Sequence, residues 1–246
     1  MKTKILPWII SLTLLGALGT SSAQSKEEVV AQGAEPQPFD KKFRWGLSWN
    51  QYWGNVKGNA LPEEYFGKPC LGFNILAQYY PLSFVGMSVG AGIQQRGAGI
   101  INPDNSGGSF THPWEYPQFD ADSTYRQRLR FTTYEIPVTL LLRTPKDVIK
   151  GMRLSGAAGI SYIKTKKVSD FFMSVEDGYH TDIPVTKDYL TNDLAYQLSL
   201  GTDIDAGGSG LLQVHLVYTK GTKNMFAVGQ GSGHLETYGF RVSWLY

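Results

Sequence analysis

Read for the spacing of its large apolar side chains, the chain from Lys41 onward keeps returning to a period of two. Phe43, Trp45, Leu47 and Trp49 alternate with Arg44, Gly46, Ser48 and Asn50, and at the other end Tyr238, Phe240, Val242, Trp244 and Tyr246 alternate with Gly239, Arg241, Ser243 and Leu245. Successive side chains of a strand point to opposite faces, so this spacing predicts strands. It predicts eight: Lys41–Trp53, Cys70–Tyr80, Phe84–Arg96, Arg126–Arg143, Met152–Ile163, Leu190–Asp205, Leu211–Lys220 and a last one within His234–Tyr246. In each, one phase is large and apolar while the other is small, polar or charged. Pro137 inside the fourth removes a ladder donor and predicts a bulge or local bend.

The connections alternate in length. Long polar segments (Gly54–Pro69, Gly97–Tyr125, Lys164–Tyr189 and Gly221–Gly233) take turns with short ones (Pro81–Ser83, Thr144–Gly151 and Ala206–Gly210). An eight-stranded antiparallel up-and-down transmembrane β-barrel with both termini on one side has four outer loops and three inner turns in that order. A soluble Greek-key sandwich has no reason to sort its loops this way. Strands of about 10 to 13 residues also suit a tilted bilayer crossing better than the ~5–6 residues of a soluble strand. The expected fold is therefore all-β, with the apolar phase toward lipid and the other toward the lumen.

The first residues change the picture of where the barrel goes. Lys2 and Lys4 precede an apolar run from Ile5 to Gly19 and then TSSAQ. This pattern is that of a secretory signal peptide, with Ser21 and Ala23 at the positions a signal peptidase reads, so residues 1–23 are expected to be removed. Residues 24–40 are charged, hold two prolines and are read as a flexible periplasmic lead-in, leaving 41–246 as the barrel domain. No later run is long and apolar enough for a transmembrane helix.

Composition narrows the function classes. Without Lys2 and Lys4, 23 − 2 = 21 basic side chains face 21 acidic ones, so no nucleic-acid partner is implied. The single Cys70 excludes an internal disulfide, and it lies too far from the cleavage position for lipidation. Aromatics at 13% and 28 glycines fit short turns, crowded lumens and interfacial girdles.

Segments TYEIPVTLLLR (Thr133 to Arg143) and HLVYTKGTKNM (His215 to Met225), with the aromatic last strand, carry a resemblance. Together they are similar to the outer-membrane β-barrel domain of the porin family, PorT-like, of Bacteroidota. Val217 stands where that family usually has Arg, and Thr222 where it usually has Leu, so the resemblance speaks to the family rather than a subfamily. It implies an outer-membrane barrel, some of whose relatives are accessory parts of type IX secretion machinery. It also implies that the terminal aromatic strand, Phe240, Val242, Trp244 and Tyr246, is the signal read by the barrel assembly machinery.

Inward phases contribute Arg44, Arg96, Glu135, Arg153, Asp193, Asp203, His215 and Arg241, a set of mixed sign expected to pair within the lumen. A gated or proton-linked site is the sharper alternative. His215 beside an acidic residue raises a serine-hydrolase reading, yet no partner is fixed by spacing and no G-x-S-x-G segment occurs. His112, His180 and His234 lack metal-ligand spacing. No cofactor, metal or catalytic residue is expected.

Among the loops, Gly97–Tyr125 carries Phe110, Trp114, Tyr116 and Phe119, a candidate outer-loop partner surface, or else a cap folded back on the barrel or a layer against lipid headgroups. Lys164, Lys166 and Lys167 mark a strand-to-loop boundary where lysine meets lipopolysaccharide phosphate. The expected role is non-enzymatic: structural, adhesive, or accessory to a secretion or envelope complex. A narrow porin-like channel is the alternative, followed by a lipid-modifying barrel enzyme. Expected partners are outer-membrane lipid, the assembly machinery and other envelope proteins.

Overall fold

A computed structural model describes residues 39, 41–58, 65–101, 125–174, 180–184, 189–225 and 233–246. They form nine strands: β1 (Phe43–Gly58), β2 (Tyr65–Leu82), β3 (Val85–Ile101), β4 (Tyr125–Arg143), β5 (Met152–Ser174), β6 (His180–Pro184), β7 (Asn192–Asp205), β8 (Leu211–Gly221) and β9 (Gly233–Leu245). Each of β1 to β5 pairs antiparallel with the next, β5 pairs with β7, and the ring runs on through β8 and β9 back to β1. Eight strands thus close a barrel, and no barrel strand is left with an open edge. The short β6 stands outside the ring as a flap on β5, from Ser169↔Pro184 to Met173↔His180.

Closure depends on the two ends of the chain meeting. Gly46 to Gly58 of β1 run against Leu245 to Gly233 of β9 without a register shift. The start of β1, the end of β9 and the three short turns share one mouth, here the terminal mouth, and the opposite strand ends share the far one.

Alternation sorts the side chains as the pattern requires, but the polarity is inverted relative to a soluble core. Phe43, Trp45, Leu47, Phe73, Ile75, Met87, Leu140, Leu198, Leu200 and Leu216 are exposed on the outside, whereas Arg44, Asn50, Asn74, Gln94, Arg96, Glu135 and Asp203 are buried inside. Exposed apolar area on this scale has no place against water. On β4 the exposed apolar phase runs from Tyr134 to Leu142, eight residue steps, or roughly 27 Å along the strand and about 20 Å along the axis at ~40° tilt. That is close to the ~25 Å apolar band of a membrane barrel.

Aromatic side chains rim the belt at both edges. Trp53 stacks on Tyr238 with centroids 6.3 Å apart at the far edge, and Trp45 lies 5.6 Å from Tyr246 at the terminal edge. Among the described residues no helix is long and apolar enough to cross a membrane, which says nothing about crossing by strands.

Three expectations need correction. The strands run further toward the far mouth than alternation indicated: β1 continues through Gly54 to Gly58, β2 begins at Tyr65, and β5 reaches Ser174, so Lys164–Ser174 is wall and not loop. The second is that stretch itself, which opens with the polar run Lys164–Lys167 and loses the outward apolar phase above the belt, yet ladder bonding to β4 persists to Tyr125↔Ser174. The third concerns Pro137. It opens a gap in the ladder to β3, between Val89↔Val138 and Gly92↔Glu135, with no change of register. Gly90 faces the ring, where a Cβ would come within 3.2 Å of Pro137 Cγ, so a glycine accommodates the proline without a bulge. The irregularity of β4 and β5 lies elsewhere, between Thr132 and Thr133, with Lys166 as the extra residue.

Candidate functional site

The lumen is layered. At the terminal mouth Phe39, Leu76, Leu211 and Leu245 form a buried apolar cluster. Phe39 is the one described residue of the N-terminal lead-in. Its carbonyl accepts from Arg143 Nη2 at 2.7 Å, and its ring lies 4.2 Å from the Arg153 guanidinium. Arg143 also donates from Nε to the Ser83 carbonyl at 2.5 Å and stacks 4.0 Å over Tyr80, with Arg44 on the same ring at 5.2 Å. Gly86 makes room for that ring, since a Cβ there would sit 2.6 Å from Tyr80 Cδ1. Guanidinium groups over ring faces thus pack this end.

At the far mouth Val56, Leu129, Phe131, Val168, Tyr189, Met225 and Leu235 form a second buried apolar cluster, with Phe131 edge-on to Tyr189 at 5.3 Å. Between the two clusters lies a polar band.

Its lower part centres on Asp203. Oδ1 accepts from Ser155 Oγ at 2.6 Å and from Gln213 Nε2 at 2.9 Å, and Gln213 Oε1 accepts from Gln78 Nε2 at 2.9 Å. His215 Nε2 stands 2.8 Å from Ser155 Oγ and 3.4 Å from Asp203 Oδ1, while Nδ1 faces Ser199 Oγ at 3.3 Å. Strands β5, β7 and β8 bring these groups level through the pairs Ser155↔Gly201, Asp203↔Gln213 and Gly201↔His215. Gly201 leaves space for the imidazole.

A serine, a histidine and an aspartate in contact invite comparison with a nucleophile relay. That relay puts the serine on one imidazole nitrogen and the carboxylate on the other. Here Ser155 and Asp203 share Nε2, and the serine proton is already directed at the carboxylate. Ser199 has the right order, but both of its links are long. The backbone N–H groups around it are engaged in ladders and are not free to serve as backbone oxyanion donors. The arrangement is a hydrogen-bonded hub.

Higher in the band, Arg96 Nε pairs with Glu135 Oε1 at 2.5 Å, and Thr133 donates to the Gln94 carbonyl at 3.2 Å. Both members of the ion pair are buried. Arg241 donates to Asn50 Oδ1 at 3.1 Å and reaches Tyr52 Oη at 3.5 Å. With its amide oxygen turned inward, Gln197 accepts from Arg241 Nη1 at 3.1 Å. Among the described residues the ends of Arg96, the amide of Asn74 and Asp203 Oδ2 meet no hydrogen-bond partner, and these are the kinds of group that ordered water satisfies in protein interiors.

Of the eight expected lumen residues, Arg44, Arg96, Glu135, Asp203, His215 and Arg241 are buried inside. Arg153 and Asp193 sit at opposite rims because each lies next to the end of its strand. Arg153 bonds Asp147 of the β4–β5 turn at 2.9 Å. Asp193 accepts from the Lys223 backbone at 3.0 Å and from Thr222. Phe240 is exposed, Val242 and Trp244 are half-exposed on the same outer face, and Tyr246 is exposed beyond them. Phe110, Trp114, Tyr116 and Phe119 lie outside the described residues, as do His112 and the cleavage position near Ala23. Among the described residues no three His, Cys, Asp or Glu side chains converge as metal ligands.

Residue-type reasoning missed the neutral members, Ser155, Ser199, Gln78, Gln213 and Gln197, and also Phe39 and Arg143. For all but Phe39 the signal was present, since they share the inward phase with the charges that were picked out.

No family model matches the chain, and no curated protein does. The PorT-like resemblance therefore rests on its own segments alone. Solved structures give looser likenesses. Ail, the attachment invasion locus protein of Yersinia pestis, is 12% identical with a TM-score of 0.39, covering 84% of this chain and 100% of that one. Neisserial surface protein A is 7% identical at 0.42, covering 83% and 97%. The outer membrane protein OprG from Pseudomonas aeruginosa is 11% identical at 0.38, covering 83% and 94%. At these values the likeness carries no information about role.

Proposed function

We propose that the chain is an integral outer-membrane β-barrel with a non-enzymatic role, acting through its surfaces as a structural, adhesive or envelope-complex accessory protein. One observation carries this reading: a lumen filled by side chains, with buried apolar clusters toward both mouths and a hydrogen-bonded polar band between them, inside a wall whose exposed face is apolar and rimmed by aromatics. A filled lumen favours the outer wall and the far-mouth connections as the places where a partner is met. The same filling disfavours the channel, because an eight-stranded barrel has an interior just wide enough for its own side chains. It disfavours the hydrolase too, because the histidine hub is buried within that packing.

The finer reading adds a signal peptide cleaved after Ala23, recognition of Phe240, Val242, Trp244 and Tyr246 by the barrel assembly machinery, and an accessory role in a Bacteroidota envelope of the PorT-like kind. Phe110, Trp114, Tyr116 and Phe119 are the proposed partner surface. Crosslinking and pull-down from intact outer membranes tests the accessory role. A stable protein partner lost in a Trp114→Ala/Tyr116→Ala variant is the expected result. Recovery of the barrel alone, at full membrane levels, would overturn it.

A further inference from the structure

The outer wall from β1 to β5 carries two features that meet at one residue, Thr132. The first is a depression in the apolar belt. Ala91 is a small outward residue among large ones, and together with Leu71, Phe73, Ile75 and Ile93 it lines a groove of about 580 Å³ whose upper edge is Gln95 and Thr132. The second lies directly above. Thr132 pairs with Lys167 across the β4–β5 ladder, Arg130 is the next outward position on β4, and the irregularity at this point pushes the extra residue Lys166 outward, its ammonium 5.6 Å from the Tyr134 ring. Lys166 and Lys167 are exposed and Arg130 is half-exposed. Among the described residues no carboxylate pairs with any of the three.

Across the barrel, where β1, β8 and β9 meet the far rim, charge is balanced locally. Lys57 and Lys220 each reach Glu236 at 3.3 Å. The β4–β5 patch therefore stands out as a cationic cluster joined to an apolar groove, at the level where the belt ends.

Resting on the membrane reading above, we infer that this wall is a binding site for one phosphate-bearing anionic lipid. Arg130, Lys166 and Lys167 hold the phosphate, and an acyl chain lies in the groove over Ala91. Charge complementarity selects the headgroup, and continuity with the apolar belt supplies the chain, so the two parts of an amphiphile meet the two parts of the site. Free phosphate, lacking a chain, engages only half of it.

The full-length mature barrel is released for native mass spectrometry from phosphatidylcholine nanodiscs containing either diphosphorylated lipid A or its dephosphorylated form. One retained copy of the phosphorylated lipid is expected, and it should survive excess inorganic phosphate. Each of Arg130→Gln, Lys166→Gln and Lys167→Gln should lower retention roughly fivefold. Ala91→Phe, which fills the groove from the lipid side, should lower it while leaving heat-modifiable gel migration unchanged. Equal retention of the two lipids, indifference to all four substitutions, or displacement by inorganic phosphate would each overturn the site. A chain that stays soluble without detergent would instead remove the membrane reading on which the site rests.

Discussion

Glu135 and Arg96 are a buried ion pair whose members depend on each other more than the barrel depends on the pair. Glu135→Ala leaves a guanidinium buried without a counter-charge, and an expected loss of ~3–5 kcal/mol follows. Arg96→Met combined with Glu135→Leu removes both charges and should recover most of that loss. Urea unfolding of the refolded barrel in lipid vesicles, followed by tryptophan fluorescence, measures both. If the double variant is as unstable as Glu135→Ala, the pair has a role this electrostatic argument omits.

At the terminal mouth, Asp147 titrates below the ordinary aspartate range, because Arg153 and then the Gly151 amide donate to its carboxylate. A depressed folded value means that the turn's contribution is complete above the ordinary aspartate pKa and is lost as pH falls through the lower folded one. The Gly151 amide resonance should therefore hold steady through the normal carboxylate range and move only at lower pH, with Arg153→Ala shifting that transition up toward the ordinary range. Such chemistry was half legible beforehand. Charged inward residues announce themselves, but Ser155 and Gln213 become partners of Asp203 only once register is known.

For the strands, alternation located every barrel strand because the membrane demands opposite polarity on the two faces of each one. It failed at their far ends for the same physical reason. Above the belt, the outer phase no longer has to be apolar, so residues 164–174 read as loop although their backbone remains in the ladder. Phe39 was not legible at all, since a single aromatic in a charged segment carries no period.

The last strand is the element on which closure rests, pairing with β1 over its whole length. Deleting Val242–Tyr246 should block membrane insertion before any other property changes, as read by loss of the heat-modifiable band and accumulation of protease-sensitive chain. Normal membrane levels of that truncation would contradict the pairing argument. Gly86→Val tests a different contact: it drives a side chain into Tyr80 and should slow refolding, while the neighbouring outward change Met87→Leu should not.

At the scale of the barrel, the lumen is filled by its own side chains, with buried apolar clusters toward both mouths. Wild-type protein in planar bilayers should therefore give a flat trace, and Phe39→Ala alone should remain flat because the cluster around Phe131 is untouched. Steady conductance from the wild type would refute the filled lumen.

The overshoot of β5 past the belt has its own outcome. From Lys164 to Ser174 the ladder with β4 continues, and β6 reinforces it from the other side. This extension rises roughly 25 Å along the axis at ~3.3 Å per residue and ~40° tilt. A hydrogen-bonded ribbon of that length is a stiff mast, so whatever is attached near its top is carried at a fixed height and heading rather than on a tether. An epitope tag inserted after Ser174 should be reached by antibody on intact cells even through long surface sugars that would hide the same tag placed after Lys223.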